Sequence, residues 1–243
     1  MGIYTEEIRA LILAAGLGTR LKPITDDKPK SLVAVNGTPI LLKQIDNLHE
    51  NGVYDITIIS GYKRDKLKET VHERYPEIQI IENIDYNITN NMYSAYIGRT
   101  AVKGHEFLMM NADVFFDASI IRKLIDYEYS NAIVTDIGRY MEESMKVIEK
   151  NGRLTAISKK IDAKDALGTS IDVYKFSAEG GKAFFKKCAE YIEEKKEVKL
   201  WSEVALNDIL EETEFKACPL DGRWFEIDDH RDLIEAEKLF ADV

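Results

Sequence analysis

Cysteine is scarce in this sequence, which holds Cys188 and Cys218 among 243 residues. Two isolated cysteines cannot build the disulfide framework of a small secreted domain or a cysteine-rich zinc site. His49, His72 and His105 lack the spacing of metal ligands, and no Ser-His-Asp or Cys-His arrangement is indicated. Neither a zinc centre nor a protein nucleophile is therefore expected.

Long hydrophobic runs and excess positive charge are also missing. No stretch of 18 apolar residues occurs, which predicts that the chain is not inserted in a membrane. Lysine and arginine number 33 against 43 aspartates and glutamates, a net charge of −10, which argues against binding to a nucleic-acid backbone. The chain opens with acidic rather than hydrophobic residues, so no signal peptide is expected and the predicted location is cytoplasmic.

The most informative stretch is an apolar run, residues 8–14, that meets a loop containing Gly16 and Gly18. Such a run followed by glycines predicts a buried parallel strand that leads into a phosphate-binding loop. Glycine lets backbone N–H groups approach an anion closely, and Arg20 and Lys30 add positive charge. The loop lacks the third glycine of a dinucleotide fingerprint and the Gly-Lys-Ser/Thr of a P-loop, so both classes are disfavoured.

Strand-like and helical patterns alternate through the first half of the chain. This alternation indicates βαβ units and a parallel sheet, with strands expected at 8–14, 55–60, 78–81, 106–111 and 132–135. Thr38 and Pro39 predict a helix start, with Thr38 as the N-cap and Pro39 in the first turn. Asn151-Gly152 predicts a hairpin with a type I′ turn. Further N-caps are predicted at Asp117, Ser177 and Asp229.

Three more motifs accompany the glycine loop. Residues 89–96 read Thr-Asn-Asn-Met-Tyr-Ser-Ala-Tyr, residues 111–113 read Asn-Ala-Asp, and residues 224–228 read Trp-Phe-Glu-Ile-Asp. With these motifs the chain resembles the sugar-phosphate nucleotidylyltransferases, and among them the phosphocholine cytidylyltransferase-like branch. The resemblance implies an α/β, Rossmann-like nucleotide-diphospho-sugar transferase fold, with a mixed, mainly parallel sheet and helices on both faces. It also implies a single nucleotidyltransferase domain over residues 1–243, in which residues 138–224 elaborate the acceptor side.

The resemblance assigns roles at the nucleotide end of the site. It implies that Arg20 and Lys30 are the catalytic cations. Arg20 would bind the β- and γ-phosphates of the nucleotide, and Lys30 would lie near the α-phosphate. It also implies that Asp113 and Asp228 are the ligands of a Mg²⁺ cofactor, because this ion prefers one or two carboxylates. The nucleotide-binding residues implied are Leu13, Ala14, Ala15, Gly16, Gly18, Asn90, Ser94 and Ala112. The branch also favours CTP over UTP or dTTP.

The acceptor end is assigned from the same resemblance. Lys146 and Lys159, on the predicted hairpin, are expected to meet the acceptor phosphate. Asp172 stands where sugar-specific relatives tend to carry glycine, and its carboxylate is expected to bind a hydroxyl or an ammonium group. Glu203 is expected to point at the acceptor. Glu226 alternates with the second metal position on a strand, so both can face the site.

The sequence thus predicts a Mg²⁺-dependent cytidylyltransferase that joins CTP to phosphocholine or a similar small phosphomonoester or phosphonate and releases pyrophosphate. Tyr140, Trp201 and Trp224 are expected to offer aromatic faces to a cationic head group. Two alternatives stay open: transfer from UTP, CTP or dTTP to a sugar-1-phosphate or polyol phosphate, and a catalytically inactive, nucleotide-binding regulatory subunit. The expected partners are the nucleotide and the small acceptor, without nucleic acid, and a homodimer stays open.

Overall fold

The computed structural model describes residues 8–140 and 143–241. The acidic N-terminal residues, from which we expect no signal peptide, lie outside these described ranges. The first half contains β1 (Arg9–Ala14), β2 (Ala34–Val35), β3 (Thr38–Pro39), α1 (Ile40–Glu50), β4 (Ile56–Ser60), α2 (Arg64–Arg74), β5 (Gln79–Glu82), α3 (Asn91–Val102), β6 (Phe107–Asn111), β7 (Val114–Phe116) and α4 (Ala118–Ile125). The second half contains β8 (Ala132–Ile137), β9 (Lys146–Lys150), β10 (Arg153–Ser158), β11 (Gly168–Phe176), α5 (Ala178–Ala189), α6 (Ser202–Ile209), β12 (Lys216–Pro219), β13 (Trp224–Glu226) and α7 (His230–Leu239). None of the helices in these described ranges combines the length and the apolar character that crossing a bilayer requires.

Nine strands of the described chain form one mixed sheet. The first-half strands lie in the order β5-β4-β1-β6 and run parallel. β11 pairs antiparallel with β6 and joins the hairpin β9–β10 and the pair β8–β12 to the sheet. The hairpin turns at Asn151 and Gly152, whose φ angles of 52° and 71° suit the predicted type I′ turn. The predicted α/β fold with a mixed, mainly parallel sheet is confirmed.

Strand β1 shows why helices cover both faces of the sheet. Ala10, Ile12 and Ala14 pack in a core that includes residues of α1, α2 and α4, whereas Leu11 and Leu13 pack in a core that includes residues of α3, α5 and α6. Successive side chains of a strand point to opposite faces of the sheet. An unbroken apolar run is therefore what a strand covered on both faces requires.

The helix start predicted at Thr38 and Pro39 differs from the observed one. Asn36 and Gly37 have positive φ angles of 48° and 86° and form a tight turn between β2 and β3. Thr38 and Pro39 are therefore used by this two-stranded ribbon. Helix α1 begins at Ile40, one residue later than predicted, with Pro39 in the N-cap position.

The three other predicted N-caps have different partners. Ser177 accepts a hydrogen bond from the N–H of Gly180, and Asp229 caps α7 through two backbone N–H groups, so both predictions are confirmed. Asp117 occupies the N-cap position of α4, but its carboxylate makes an ion pair with Arg223 instead of a capping bond. This carboxylate is therefore used to join two distant segments of the chain.

The order of the strands determines which residues meet at the carboxyl edge of the sheet. β5 ends before Asn83, β1 ends before Ala15, and β6 ends before Ala112. β11 runs opposite to β6 and places Asp172 next to Asn111. Because ligands of open α/β sheets bind outside the carboxyl ends of the parallel strands, this edge is where a site is expected.

Candidate active site

An open cavity of about 270 Å³ lies at this carboxyl edge. It brings together residues that are up to 215 positions apart in the chain, from Leu13 to Asp228. All but two of the residues predicted as catalytic, nucleotide-binding, metal-binding or acceptor-binding line it, namely Leu13, Ala14, Ala15, Gly16, Arg20, Lys30, Asn90, Ser94, Ala112, Asp113, Lys159, Asp172, Glu203, Glu226 and Asp228. The two exceptions are Gly18 and Lys146.

Gly18 supports the loop from behind instead of facing the cavity. Its φ angle is 61°, a conformation that glycine adopts readily, and a Cβ at this position would lie 2.7 Å from the Cβ of Lys30. Thr25 Oγ1 donates a hydrogen bond of 2.8 Å to its carbonyl oxygen. Gly16, in contrast, lines the cavity and has open space where a Cβ would stand. Gly18 therefore allows Lys30 to pack closely against the loop, and Gly16 keeps the cavity open beside the loop.

Lys146 does not line the cavity, and its contact with the acceptor stays a prediction. Lys146 begins β9, is buried, and its Nζ donates to the carbonyl oxygen of Ser144 at 3.3 Å. Neighbouring side chains of an extended chain point to opposite sides, and the preceding residue, Met145, takes the cavity side. Lys159 does line the cavity, and its Nζ lies 4.9 Å from the ring centroid of Trp201.

Lys30 connects the glycine loop to the acidic residues of the cavity. Its Nζ lies 2.8 Å from Oδ2 of Asp113 and 2.5 Å from Oδ1 of Asp228. Arg20 contacts the other carboxylate oxygen of Asp228 at 2.7 Å. Burial disfavours the charge of Lys30, but the two carboxylates outweigh this effect and raise the pKa of Lys30 above its ordinary value. Lys30 is therefore a permanently charged cation held in one place.

The antiparallel pairing of β7 with β13 brings the C-terminal carboxylates to this point. Glu226 pairs with Val114, and the N–H of Ile227 donates to the carbonyl oxygen of Asp113 at 2.9 Å. Burial acts against the charge of Asp228, but Lys30 and Arg20 outweigh it and hold the pKa of Asp228 below its ordinary value. Asp228 is therefore ionised at neutral pH.

Asp113, Glu226 and Asp228 form an acidic triad whose carboxylate oxygens lie within 4.8 Å of one another. Oδ1 of Asp113 is buried and accepts no hydrogen bond from any described residue. Burial, with the charges of Asp113 and Asp228, raises the pKa of Glu226 to about 8. A buried oxygen without a partner is unfavourable, and carboxylate oxygens are the ligands that Mg²⁺ prefers in proteins. The triad therefore fits a divalent cation.

A second acidic cluster closes the other end of the cavity. The hydroxyl oxygen of Tyr174 lies 2.9 Å from Oδ1 of Asp172 and 2.9 Å from Oε1 of Glu203. Asn111 Nδ2 donates to Asp172 Oδ2, and Ser202 Oγ donates to Glu203 Oε1, each at 3.1 Å. Because the phenol carries one hydrogen, it can donate to only one of the two carboxyl groups at a time. When both acids are ionised, Tyr174 therefore leaves one of the two carboxylates without a hydrogen from its phenol.

Burial dominates the electrostatics of this cluster. It raises the pKa of Asp172 well above its ordinary value, and nearby acidic charges, Glu203 first among them, add to the rise. It also raises the pKa of Glu203. Asp172 has a φ angle of 58°, at a point where the pairing of β11 with β8 shifts register. Such a conformation is uncommon for residues other than glycine and concentrates at functional sites.

The expected aromatic wall around a cationic head group is not formed by the three residues named for it. Trp224 is buried, and its Nε1 donates to Asp136 at 2.8 Å. Within the described residues, Trp224 and Tyr140 do not line the cavity, whereas Trp201 does. The prediction failed because Trp224 belongs to the β7–β13 ribbon, where it fills the core.

Among the cavity residues without a role in the sequence analysis are Ser31, Asn83, Tyr86, Glu143 and Ser144. Ser31 directly follows Lys30, and its buried Oγ has no hydrogen-bond partner among the described residues. Asn83 is the first residue after β5, so the rule that strand ends carry ligands would have found it. The other three lie in loops without a motif, and no signal in the sequence points to them.

Comparison with known proteins identifies relatives that match either nearly all of this chain or about half of it. A "Bifunctional IPC transferase and DIPP synthase" of Aquifex aeolicus is 28% identical over 236 residues, which are 96% of this chain and 51% of that protein. A "2-aminoethylphosphonate cytidylyltransferase" of Lancefieldella rimae is 36% identical over 113 residues, 46% of each chain. The aligned segments thus span about half the length of these two relatives.

A solved structure shares the fold over nearly its whole length. The CTP:phosphocholine cytidylyltransferase from Streptococcus pneumoniae superimposes with a TM-score of 0.81 at 24% identity, over 96% of this chain and 98% of that one. The predicted resemblance to nucleotidylyltransferases of the phosphocholine cytidylyltransferase-like branch is confirmed. The family profile described as "Nucleotidyl transferase" matches residues 9–242. Because this match covers nearly the whole sequence, the chain belongs to the nucleotidyl transferase family.

Proposed function

We propose that this protein is a cytidylyltransferase that transfers the cytidylyl group of CTP to a small phosphonate or phosphate monoester bearing an ammonium group. The observation that carries the proposal is the layout of one cavity. The glycine loop and Lys30 lie between a polar end at Ser94 and an acidic end at Asp172 and Glu203. A triphosphate requires loop amides and cations, whereas a cationic acceptor requires buried acids. A cytidylyltransferase among the relatives supports CTP as the nucleotide.

In the proposed reaction, an oxygen of the acceptor attacks the α-phosphorus of CTP. A P–O bond forms to this oxygen while the bond from the α-phosphorus to the bridging oxygen breaks, and pyrophosphate leaves with that electron pair. The acceptor oxygen is already anionic near pH 7, because the second pKa of a phosphate monoester is about 6. No protein base is required, and catalysis rests on positioning and on offsetting negative charge.

The residues at the nucleotide end of the cavity have separate roles in positioning the phosphates and in offsetting their negative charge. Arg20 and the amides around Gly16 bind the β- and γ-phosphates, and Lys30 stabilises the charge that develops around the α-phosphate. Asp113 and Asp228 hold Mg²⁺, with Glu226 as the third carboxylate of the triad. The bound ion supplies positive charge that neutralises phosphate oxygens and orients them.

The acidic end favours a primary ammonium group over a quaternary one. N–H groups can donate to both Asp172 and Glu203, whereas the single phenol hydrogen of Tyr174 reaches only one of them at a time. A trimethylammonium group has no N–H and depends on aromatic faces. At this end of the described cavity the aromatic face is that of Trp201, and Lys159 lies over it. We propose residues 138–224 as the acceptor-side elaboration, since they supply all five of these acceptor-end residues.

Pyrophosphate release in the presence of Mg²⁺ tests the proposal, with four nucleoside triphosphates against 2-aminoethylphosphonate, phosphocholine and glucose-1-phosphate. We expect the highest kcat/KM for CTP with 2-aminoethylphosphonate. A tenfold preference for glucose-1-phosphate would overturn the acceptor and leave nucleotidyl transfer standing. Sugar or polyol phosphates are the second candidate, because carboxylates also accept hydrogen bonds from hydroxyl groups. Turnover with none of the pairs would contradict the proposed activity.

A matched variant isolates the ammonium contact. Asp172→Asn keeps the size of the side chain, and asparagine tolerates the left-handed backbone at this position. It removes the charge, so kcat/KM for the aminated acceptor should fall at least about tenfold, as for a lost hydrogen bond to a charged group. The value for an acceptor without an amine, ethylphosphonate, should change much less.

A further inference from the structure

Asn83 holds one fixed orientation at the end of β5. It is 1% exposed and lines the cavity. Its Oδ1 accepts a hydrogen bond from the backbone N–H of Asp85 at 3.0 Å, and its Nδ2 donates to Thr89 Oγ1 and to Ser94 Oγ, each at 3.1 Å. A backbone N–H can only donate, so the amide cannot flip without placing two donors face to face. Both hydroxyl oxygens therefore receive a hydrogen from Asn83.

The hydroxyl groups of Thr89 and Ser94 differ in whether their hydrogen already has an acceptor. The hydroxyl of Thr89 donates to the carbonyl oxygen of Asp85 at 2.8 Å, so its hydrogen is used. Ser94 is 3% exposed and lines the cavity, and its hydroxyl hydrogen has no acceptor among the described residues. Because Asn83 already donates to its oxygen, Ser94 can satisfy its hydrogen only by donating into the cavity, to a ligand or to water. Ser94 thus offers a hydrogen-bond donor to the cavity.

We propose that Asn83 is a positioning residue that fixes Ser94 as a donor and thereby selects cytosine over uracil. This inference rests on the proposed function, in which the base occupies the cavity end at β5, away from the acidic cluster of Asp172 and Glu203. Ring atom N3 of cytosine is an acceptor, whereas N3 of uracil carries a hydrogen. Uracil would place its N–H against Ser94 and leave the buried hydroxyl hydrogen unpaired. Sites built around such polar contacts discriminate strongly between bases.

Reversing the polarity of Asn83 tests this directly. In Asn83→Asp the introduced carboxylate accepts from the N–H of Asp85 and from the hydroxyl of Ser94, and these two donors favour its ionised form. Ser94 then donates away from the cavity and presents lone pairs to the base. We expect the ratio of kcat/KM for CTP to that for UTP to fall at least about tenfold, the range of one buried unsatisfied group.

A double-mutant cycle shows whether Asn83 acts through Ser94. Ser94→Ala should itself lower the CTP-to-UTP ratio, and Asn83→Asp should add nothing further in that background. The single variant Ser94→Ala leaves Asn83 intact, so it tests the donor even where Asn83→Asp does not fold. Asn131→Asp is the matched control: its amide is bonded to Ser177 and Glu214 outside the cavity, so the ratio should not change.

The outcomes separate this inference from the function on which it rests. A fall of the ratio in Asn83→Asp and Ser94→Ala, with melting temperatures near that of the control, supports the proposal. Equal losses for CTP and UTP in both variants would overturn the role of Asn83 and Ser94 and leave the cytidylyltransferase proposal intact. A wild-type protein that prefers UTP would instead contradict the proposed nucleotide, and with it the inference.

Discussion

The ammonium nitrogen of Lys30 lies 2.5 Å from Oδ1 of Asp228, a residue 198 positions away in the sequence. The same nitrogen contacts Asp113, so one cation holds together two carboxylates that are far apart in the chain. Breaking a buried ion pair by removing one partner leaves an uncompensated charge, which is costly. The position of Lys30 is therefore central to both the structure and the chemistry of the cavity.

Replacing Lys30 should lower catalysis and also cost stability, since it leaves Asp113 and Asp228 without their shared cation. Lys30→Ala removes one preorganised charge next to the α-phosphate and should lower kcat/KM at least about a hundredfold. Lys22→Ala is the matched control, because Lys22 is exposed and pairs with Asp26 outside the cavity. Steady-state pyrophosphate release checks both. Near-normal turnover of a folded Lys30→Ala protein would remove Lys30 from the mechanism.

The two aspartates of the triad should be needed for the metal. Asp113→Asn and Asp228→Asn should each lower Mg²⁺-dependent turnover about a thousandfold or more, since a lost metal contact costs several kcal/mol of transition-state stabilisation. Both should also weaken Mn²⁺ binding measured by electron paramagnetic resonance. Asp117→Asn is the control, because that carboxylate binds Arg223 outside the cavity and should matter for stability alone. Unchanged Mn²⁺ binding in both triad variants would place the metal elsewhere.

The two loop glycines should respond differently to alanine. Gly18→Ala forces a Cβ to within 2.7 Å of Lys30 and requires a left-handed backbone, which costs about 1–2 kcal/mol. It should lower the melting temperature and kcat together. Gly16→Ala meets no atom within 4 Å and should keep the melting temperature while raising KM for the nucleotide, because the new methyl group faces the cavity. The same response in both variants would contradict this division.

The pH dependence of stability should reveal the buried acid Glu203, which faces Asp172, Tyr174 and Ser202. Burial raises its pKa in the folded state above the unfolded value of about 4.3. The stability contributed by its neutral form is therefore fully present below about pH 4 and is lost as pH rises through the raised pKa. Glutamine does not titrate. The melting temperature of Glu203→Gln, relative to that of the wild type, should therefore rise as the pH increases from 4 to 8.

Glu179→Gln provides the baseline for that comparison. Glu179 lies exposed in the first turn of α5 and pairs with Lys182, so its removal should leave a difference in melting temperature that varies little with pH. Differential scanning fluorimetry over the same pH range measures both variants. A Glu203→Gln difference as flat as that of Glu179→Gln would show that Glu203 titrates normally.

Local motifs carried most of the information that the sequence provides about the site. The glycine loop from Leu13 to Gly16 needs only an apolar strand and the residues directly after it, and the structure places these residues in the cavity. Asp113 likewise follows the end of a predicted strand. Where a prediction depends on the orientation of one residue, as at Lys146, strand register and not the motif determines which neighbour faces the cavity.

The sequence by itself determined the fold class, the family and the glycine loop that lines the cavity, because each is encoded in contiguous residues whose periodicity or spacing is local. Only the tertiary structure decided that Lys30 bridges Asp113 and Asp228, that Tyr174 stands between Asp172 and Glu203, and that Asn83 orients Ser94. These relationships join segments far apart in the chain through strand pairing and loop packing. No local pattern records such contacts, since they exist only when the sheet has assembled.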